Sequence, residues 1–467
     1  MNIVFLISLF LFPSKALAHG IGQRVDLPIP LDIYLGAAAV VVIASFFLIG
    51  VLGKREKTYE SYPSVNLLRY PWVRTLVVHP RVQIGIKAVS AALFFVFLYA
   101  GFWGNQSPIH NLFPIFVWVG FTVAITYIVA FVGNIWELIN PWKILHEWLD
   151  GKERFSLKRA WPVWLGVWPA FALFLIFRFL ENVYPYATEP RTLAWLVVSY
   201  SVITGVGMIV FGRRQWLHSG DPFAVFFRFL SQFAIVSWEK RNEQHELRLR
   251  LPAVGLLKIQ SVSVSEIAFV LLMLTTVSFD GISSTALAAG ILNYVRDVGM
   301  SLVVAKTILL FAVFALFVSV YYVFSILIRN YAHSDVSTLV VAKSFVLSLL
   351  PIAIVYEVAH FSALLLTEGQ RVFILISDPF GYGWNIFGTA MTNVNYGFLD
   401  FRLLWNIEIV LILLGHVASI YIAHMVAVGL FKDSRVALRS QIPMLILMIS
   451  YTVMGLWILA QPPVLIS

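Results

Sequence analysis

The stretch 403–430, LLWNIEIVLILLGHVASIYIAHMVAVGL, runs 28 residues with one charged side chain, Glu408. At 1.5 Å rise per residue, such a run is long enough to cross the roughly 30 Å hydrocarbon core of a bilayer as a helix. It carries polar groups nonetheless. At 100° per residue, Glu408, Gly415, His416, Ser419 and Ala423 fall within an arc of about 100°, a polar stripe with small residues that lets a neighbour pack closely.

Working outward, comparable apolar stretches lie at 31–53, 82–103, 112–132, 162–182, 190–211, 263–282, 299–328, 336–366 and 441–462. With 403–430 they make ten spans, and the expected fold is an all-α integral membrane protein. The bulk numbers agree: 60% of the 467 residues are hydrophobic, 12% are charged, and the mean hydropathy is +0.85. No cysteine is present, which excludes a disulfide framework, a thiolate metal site and thioether-linked haem.

Residues 3–12, IVFLISLFLF, are too short to span, and Ala16-Leu17-Ala18 supplies the small residues of a cleavage site. Residues 1–18 therefore read as a cleavable signal peptide, with 19–467 as a single polytopic membrane domain. Cleavage there exposes His19 as the first residue, whose α-amine and imidazole form a chelate suited to copper.

The net charge of +9 belongs to topology. With the mature N-terminus periplasmic, the cytoplasmic segments 54–81, 133–161, 212–261, 329–335 and 431–440 carry 6, 5, 8, 1 and 3 Lys/Arg, 23 in all. The periplasmic segments hold only Arg24, Arg191, Arg296, Arg371 and Arg402. This favours a periplasmic mature N-terminus by the positive-inside rule, with the spans in contact with lipid, and makes the basic excess a topology signal and not a nucleic-acid footprint. No feature of the sequence points to a protein partner.

Between the spans, Asn140-Pro141-Trp142, Asp221-Pro222-Phe223 and Asp378-Pro379-Phe380 repeat an Asx-Pro-aromatic pattern. An Asx side chain caps a helix N-terminus while Pro takes the first helical position. Short interfacial helices anchored by aromatics are expected there, one of them over 222–238. The first two triplets align further, as an internal duplication of a helix pair would. Residues 239–261 read as a short hydrophilic linker.

Ionisable residues within spans are costly and point to function. Asp280 lies near one end of its span, and Glu357 and His360 share a helix face three residues apart. With His416 they form a candidate His₂-carboxylate site for zinc, copper or iron: Glu357, His360, His416 and Asp280. Glu408, His424 and His19 are secondary candidates. His424 sits eight residues, roughly 12 Å, beyond His416, too far to share one ion on a straight helix. The same residues also suit a translocation path, structural pairing of helices, or a b-type haem held by His360 and His416. Arg178, Lys306 and Lys343 read as snorkelling, and His79, His110, His146, His218, His245 and His333 as solvated loop residues. No phosphate-binding loop, Gly-x-Ser-x-Gly elbow or His-Glu-x-x-His signature occurs.

Several motifs carry a family resemblance: His19-Gly20-Ile21-Gly22-Gln23-Arg24-Val25-Asp26-Leu27-Pro28-Ile29-Pro30-Leu31, Gly104-Asn105-Gln106-Ser107-Pro108, Asn140-Pro141-Trp142, Phe279-Asp280-Gly281, Ser377-Asp378-Pro379-Phe380-Gly381, Gly415-His416 and Ala423-His424. In these the chain resembles bacterial polytopic membrane proteins commonly labelled "fenitrothion hydrolase", with Val25 replacing an aromatic. The resemblance implies an inner-membrane phosphotriester hydrolase acting on an apolar small molecule. Such chemistry calls for a metal-bound hydroxide, since a metal lowers the pKa of bound water to about 7.

Overall fold

The computed structural model describes residues 30–52, 59–241, 244–259, 262–333, 335–431 and 433–461. The leader, His19 and the opening motif up to residue 29 lie outside the described residues. Among the described residues, ten helices are long and apolar enough to cross a membrane, matching the ten stretches read from the sequence. The helices that position the site are α1 (Leu31–Leu52), α2 (Pro80–Trp103), α3 (Leu112–Phe131), α4 (Trp136–Ile139), α5 (Pro141–Leu149), α6 (Trp168–Asn182) and α7 (Pro190–Phe211). They continue with α8 (Arg213–Ser219), α9 (Pro222–Leu230), α10 (Val264–Ser283), α11 (Leu302–Tyr331), α12 (Leu350–Thr367), α13 (Phe401–Leu430) and α14 (Ser434–Leu459). Within α3, Phe116–Ile125 winds as a π-helix.

Two helices form the centre. Every residue from Phe269 to Phe279 of α10 is buried, as is every residue from Leu350 to Ala359 of α12. A helix apolar on all faces must be buried by its neighbours or by lipid, and here protein covers both. Around them α13 packs on α12, α14 and α1. Small residues make this possible. A Cβ on Gly415 of α13 would lie 2.3 Å from Val355 Cγ2 and 3.0 Å from the Pro351 carbonyl, so only glycine permits that approach.

The short helices between spans reach inward. Asn140 caps α5 by accepting from Lys143 N at 3.0 Å, and Asp221 caps α9 by accepting from Ala224 N at 2.7 Å. Helix α8 climbs beside α7, with Trp216 against Gly207. Tyr200 and Thr204 of α7 then hydrogen-bond Asp221. Those residues precede Phe211 by eleven and seven positions, so the Asp221 tip sits roughly 10–16 Å inside that end. Helix α9 returns, its Phe223 beside Phe177, Phe226 beside Phe174, and Phe229 beside Phe269. The pair α4–α5 behaves alike. Ser90, midway along α2, donates to the Ile139 carbonyl, Trp142 Nε1 donates to Ser201 Oγ at 2.7 Å, and Glu147 meets Lys87 at 2.7 Å on the way back. Each is a re-entrant helical hairpin, and each follows a span of the same direction. Both members of the paired sequence pattern thus start a nine-residue helix capped by an Asx side chain.

The end from which both hairpins enter also carries the basic connections. There the expected helix over 222–238 stops at Leu230, and 239–261 does not form a linker. Instead β2 (Val236–Arg241) and β3 (Gln244–Arg250) form a hairpin, and β1 (Ser64–Asn66) pairs with β3, giving the antiparallel order β1-β3-β2. Arg250 anchors this sheet to the helix it follows. Its Nη2 donates to the Ser231 carbonyl at 2.8 Å and its Nε to the Ala234 carbonyl at 3.1 Å, placing a cation at the C-terminal end of α9. The third triplet makes no helix: Asp378 accepts from Tyr382 N and Gly383 N in a turn. That turn joins the motif after α2, for Asn105 N donates to the Phe380 carbonyl at 2.7 Å.

Candidate functional site

Three helices bring ionisable side chains together near the end opposite the hairpins. Arg178 and Glu181 sit in the last turn of α6, Asp280 near the end of α10, and Glu357 and His360 on α12. Arg178 Nη1 donates to Glu181 Oε2 at 2.6 Å and Nη2 to Glu357 Oε1 at 3.2 Å. Its side chain is 5% exposed and that of Glu357 8%, so this pair has left water, while Glu181 is 15% exposed. The rings of Phe174, Phe177 and Phe226 lie 5.2–6.0 Å from the guanidinium, within cation–π range.

Three residues along α12, His360 Nε2 is hydrogen-bonded to Asp280 Oδ2 at 2.7 Å. Glycine at 281 is part of the arrangement: a Cβ there would meet Ile458 Cγ2 at 2.5 Å and Tyr356 Oη at 3.0 Å. The Phe279-Asp280-Gly281 motif thus supplies a buried ring, a partner for His360, and the space for Tyr356. Nearby, Ser362 Oγ donates to Glu408 and Tyr127 Oη donates to the Val358 carbonyl at 2.6 Å. A void of about 10 Å³, near the size that admits one water, lies between Thr126 and Glu357. Thr126 Oγ1 is buried there without a hydrogen-bond partner.

The remaining candidates stand elsewhere. His416 Nδ1 bonds its own helix at the Ile412 carbonyl, 2.8 Å away, and its Nε2 is buried with no partner. His424 Nδ1 lies 3.1 Å from Gln441 Oε1 of α14. So the structure joins Asp280 to His360 and draws Glu357 to Arg178. Among the described residues, no three or more His, Asp or Glu side chains gather as a metal-holding group. As placed, the four residues do not fit a three-ligand centre, because the carboxylate nearest His360 on α12 is bound to a cation. A haem between His360 and His416 would likewise need His360 Nε2 to leave Asp280.

Arg178 and Glu181 are what reading the sequence missed. A lone arginine near a helix end ordinarily snorkels, yet Arg178-x-x-Glu181 is an opposite-charge pair on one face of an apolar helix. That pair was the available signal. His146 and His218 also depart from the solvated-loop reading: His146 is buried on α5 with neither ring nitrogen bonded, and His218 on α8 meets Arg228 at 2.7 Å.

Comparison with known proteins finds no family model, no curated protein and no solved structure that matches the chain.

Proposed function

We propose that this chain is a multi-pass membrane transporter in which Glu357, Arg178 and Glu181, with the neighbouring Asp280–His360 pair, form the proton-binding part of a translocation path. The observation that carries this is the Arg178–Glu357 ion pair inside the bundle. Buried ion pairs seldom stabilise a fold relative to apolar packing, so side chains held at such cost fit a role in moving charge. Arg178 lies between two carboxylates, so with all three charged the group carries one negative charge in excess, and one proton or one cation neutralises it. The same reading places the chain in a bacterial inner membrane with the hairpins entering from the cytoplasm, supported by the excess of Lys/Arg at that end.

Infrared difference spectra of the purified protein across a pH titration test the relay. A protonated-carboxyl band that titrates and is lost in Glu357→Gln is the expected result. Wild-type spectra with no such band overturn the reading.

A second reading, the metal-dependent phosphotriester hydrolase, is favoured by the Asp280–His360 pair, because a carboxylate commonly orients a metal-ligating imidazole. It requires a rearrangement that frees a third ligand. Stoichiometric zinc, iron or copper in the purified protein, lost in His360→Ala together with turnover of a nitrophenyl phosphotriester, would select it over the relay.

A further inference from the structure

Three polar contacts follow one another along α12 toward its Thr367 end. Glu357 meets Arg178, His360 meets Asp280 one turn on, and Ser362 meets Glu408 of α13, five residues or about 7.5 Å beyond Glu357. The first two carboxylates each face a guanidinium or an imidazole. Glu408 does not. It is 8% exposed, and among the described residues it has no ion pair, its hydrogen bond being to the Ser362 hydroxyl through Oε1. Its other oxygen, Oε2, has no hydrogen bond there. One hydroxyl does not offset the cost of taking a carboxylate out of water, and a buried carboxyl so placed takes up a proton instead.

Ser362 can serve both forms. Its Oγ lies against Glu408 and 2.9 Å from the Ala359 carbonyl of its own helix, and a hydroxyl has one proton to give and lone pairs with which to accept. With Glu408 neutral, the acid O–H donates to Ser362 Oγ and the hydroxyl proton turns to Ala359. With Glu408 ionised, the hydroxyl donates to the carboxylate. On release the Glu408 O–H bond breaks, its electron pair stays on the carboxylate, and a water molecule takes the proton.

The charge of Glu408 reaches His360 of α12 and Tyr127 of α3, and Tyr127 is within reach of Glu357 as well. On the other helices packed against α13, Asp32 lies at the start of α1, Tyr34 of α1 stands against Trp405, and Tyr451 of α14 stacks on Phe317. On α13 itself, Arg402 and His416 are about 9 and 12 Å away along the axis.

We propose that Glu408 and Ser362 form a second protonation site, filled at neutral pH, through which a proton enters or leaves on the side opposite the hairpins. The site stands on its own geometry; that it serves the Arg178 cluster rests on the relay reading.

Infrared spectra of the full chain in detergent at neutral pH, in light and heavy water, test it. A protonated-carboxyl band is expected, lowered in frequency by deuteration, absent in Glu408→Gln and kept in Glu357→Gln. Ser362→Ala removes the partner of the acid and should keep the band while raising its frequency. Glu408→Gln should melt near the wild-type temperature, because an amide imitates the neutral acid. A neutral-pH spectrum without the band, a band that survives Glu408→Gln, or one indifferent to Ser362→Ala overturns the proposal. Where Glu408→Gln fails to fold, the frequency shift in Ser362→Ala decides alone. Failure of the relay reads differently: the titrating band that depends on Glu357 is then missing while the Glu408 band stands.

Discussion

Arg178 and Glu357 stand 179 positions apart in the chain and meet at 3.2 Å inside the bundle, each less than a tenth exposed. The contact ties α6 to the central helix α12 through charge in a place where apolar packing would serve the fold as well. Its removal therefore has two distinguishable consequences, one for stability and one for proton binding.

Arg178→Met leaves Glu357 buried, and Glu181 partly so, without their cation, and should lower stability by about 3–5 kcal/mol. Adding Glu181→Gln and Glu357→Gln removes the stranded charges. The triple variant should recover most of the loss in detergent thermal unfolding while losing the titrating carboxyl band. A triple variant as unstable as the single one would show that the triad holds the fold together.

Gly415→Ala puts a methyl 2.3 Å from Val355 Cγ2. Overpacking of this kind costs about 1–3 kcal/mol. Val355→Ala makes room on the opposing helix, so the double variant should unfold at a higher temperature than Gly415→Ala alone. Independent, additive losses would contradict the α12–α13 packing described above.

Asp221→Ala removes the cap of α9 and strands the Tyr200 and Thr204 hydroxyls in the interior, and a loss of about 1–3 kcal/mol is expected. Asp221→Asn retains the accepting oxygen and should lose clearly less. Equal losses in the two variants would mean that charge, not capping, holds the tip.

At the basic end, burial works against ionisation of Glu239. Hydrogen bonds from Tyr59 and Ser237, with the charges of Lys258 and Arg250, nevertheless hold its carboxyl below the ordinary value of 4.5. A depressed folded-state pKa contributes stability that is present above the unfolded value, and that stability is lost as pH falls through the folded one. Melting temperatures should thus decline below about pH 4.5 in the wild type. Glu239→Gln should flatten that acid limb, and an unchanged limb would place its origin in other carboxylates.

The chain has no cysteine, so single introduced thiols report topology without background. Thr392→Cys, between α12 and α13, should react with an impermeant maleimide on intact cells. Lys152→Cys, between α5 and α6, should react only after permeabilisation. The reverse pattern would invert the orientation.

The ten spans were legible because twenty apolar residues in succession have few other destinations. The capped tips at Asn140 and Asp221 were legible too, but not their depth. A nine-residue amphipathic helix reads the same whether it rests on lipid or turns its apolar face into protein, and the burial of Phe226 and Phe229 depends on α6 and α10. Arg178 was obscured for a related reason: its partner Glu357 is distant in sequence, and no local pattern announces the pair. The sheet is built on the β2–β3 hairpin, whose charged sequence reads as a linker, and its third strand, Ser64–Asn66, is three residues, too few to register. Asp280 and His360 were both singled out, and the structure joins them.

The widened coil of Phe116–Ile125 sets the angular phase of everything after it. Thr126, facing Glu357 across the small void, and Tyr127, bonded to Val358, follow directly. Inserting one residue after Ile125, where ordinary α winding resumes, would turn both hydroxyls by about 100°, away from α12. That span behaves as a gear whose tooth count is fixed, so a one-residue change of length in α3 is more disruptive than most changes of residue identity.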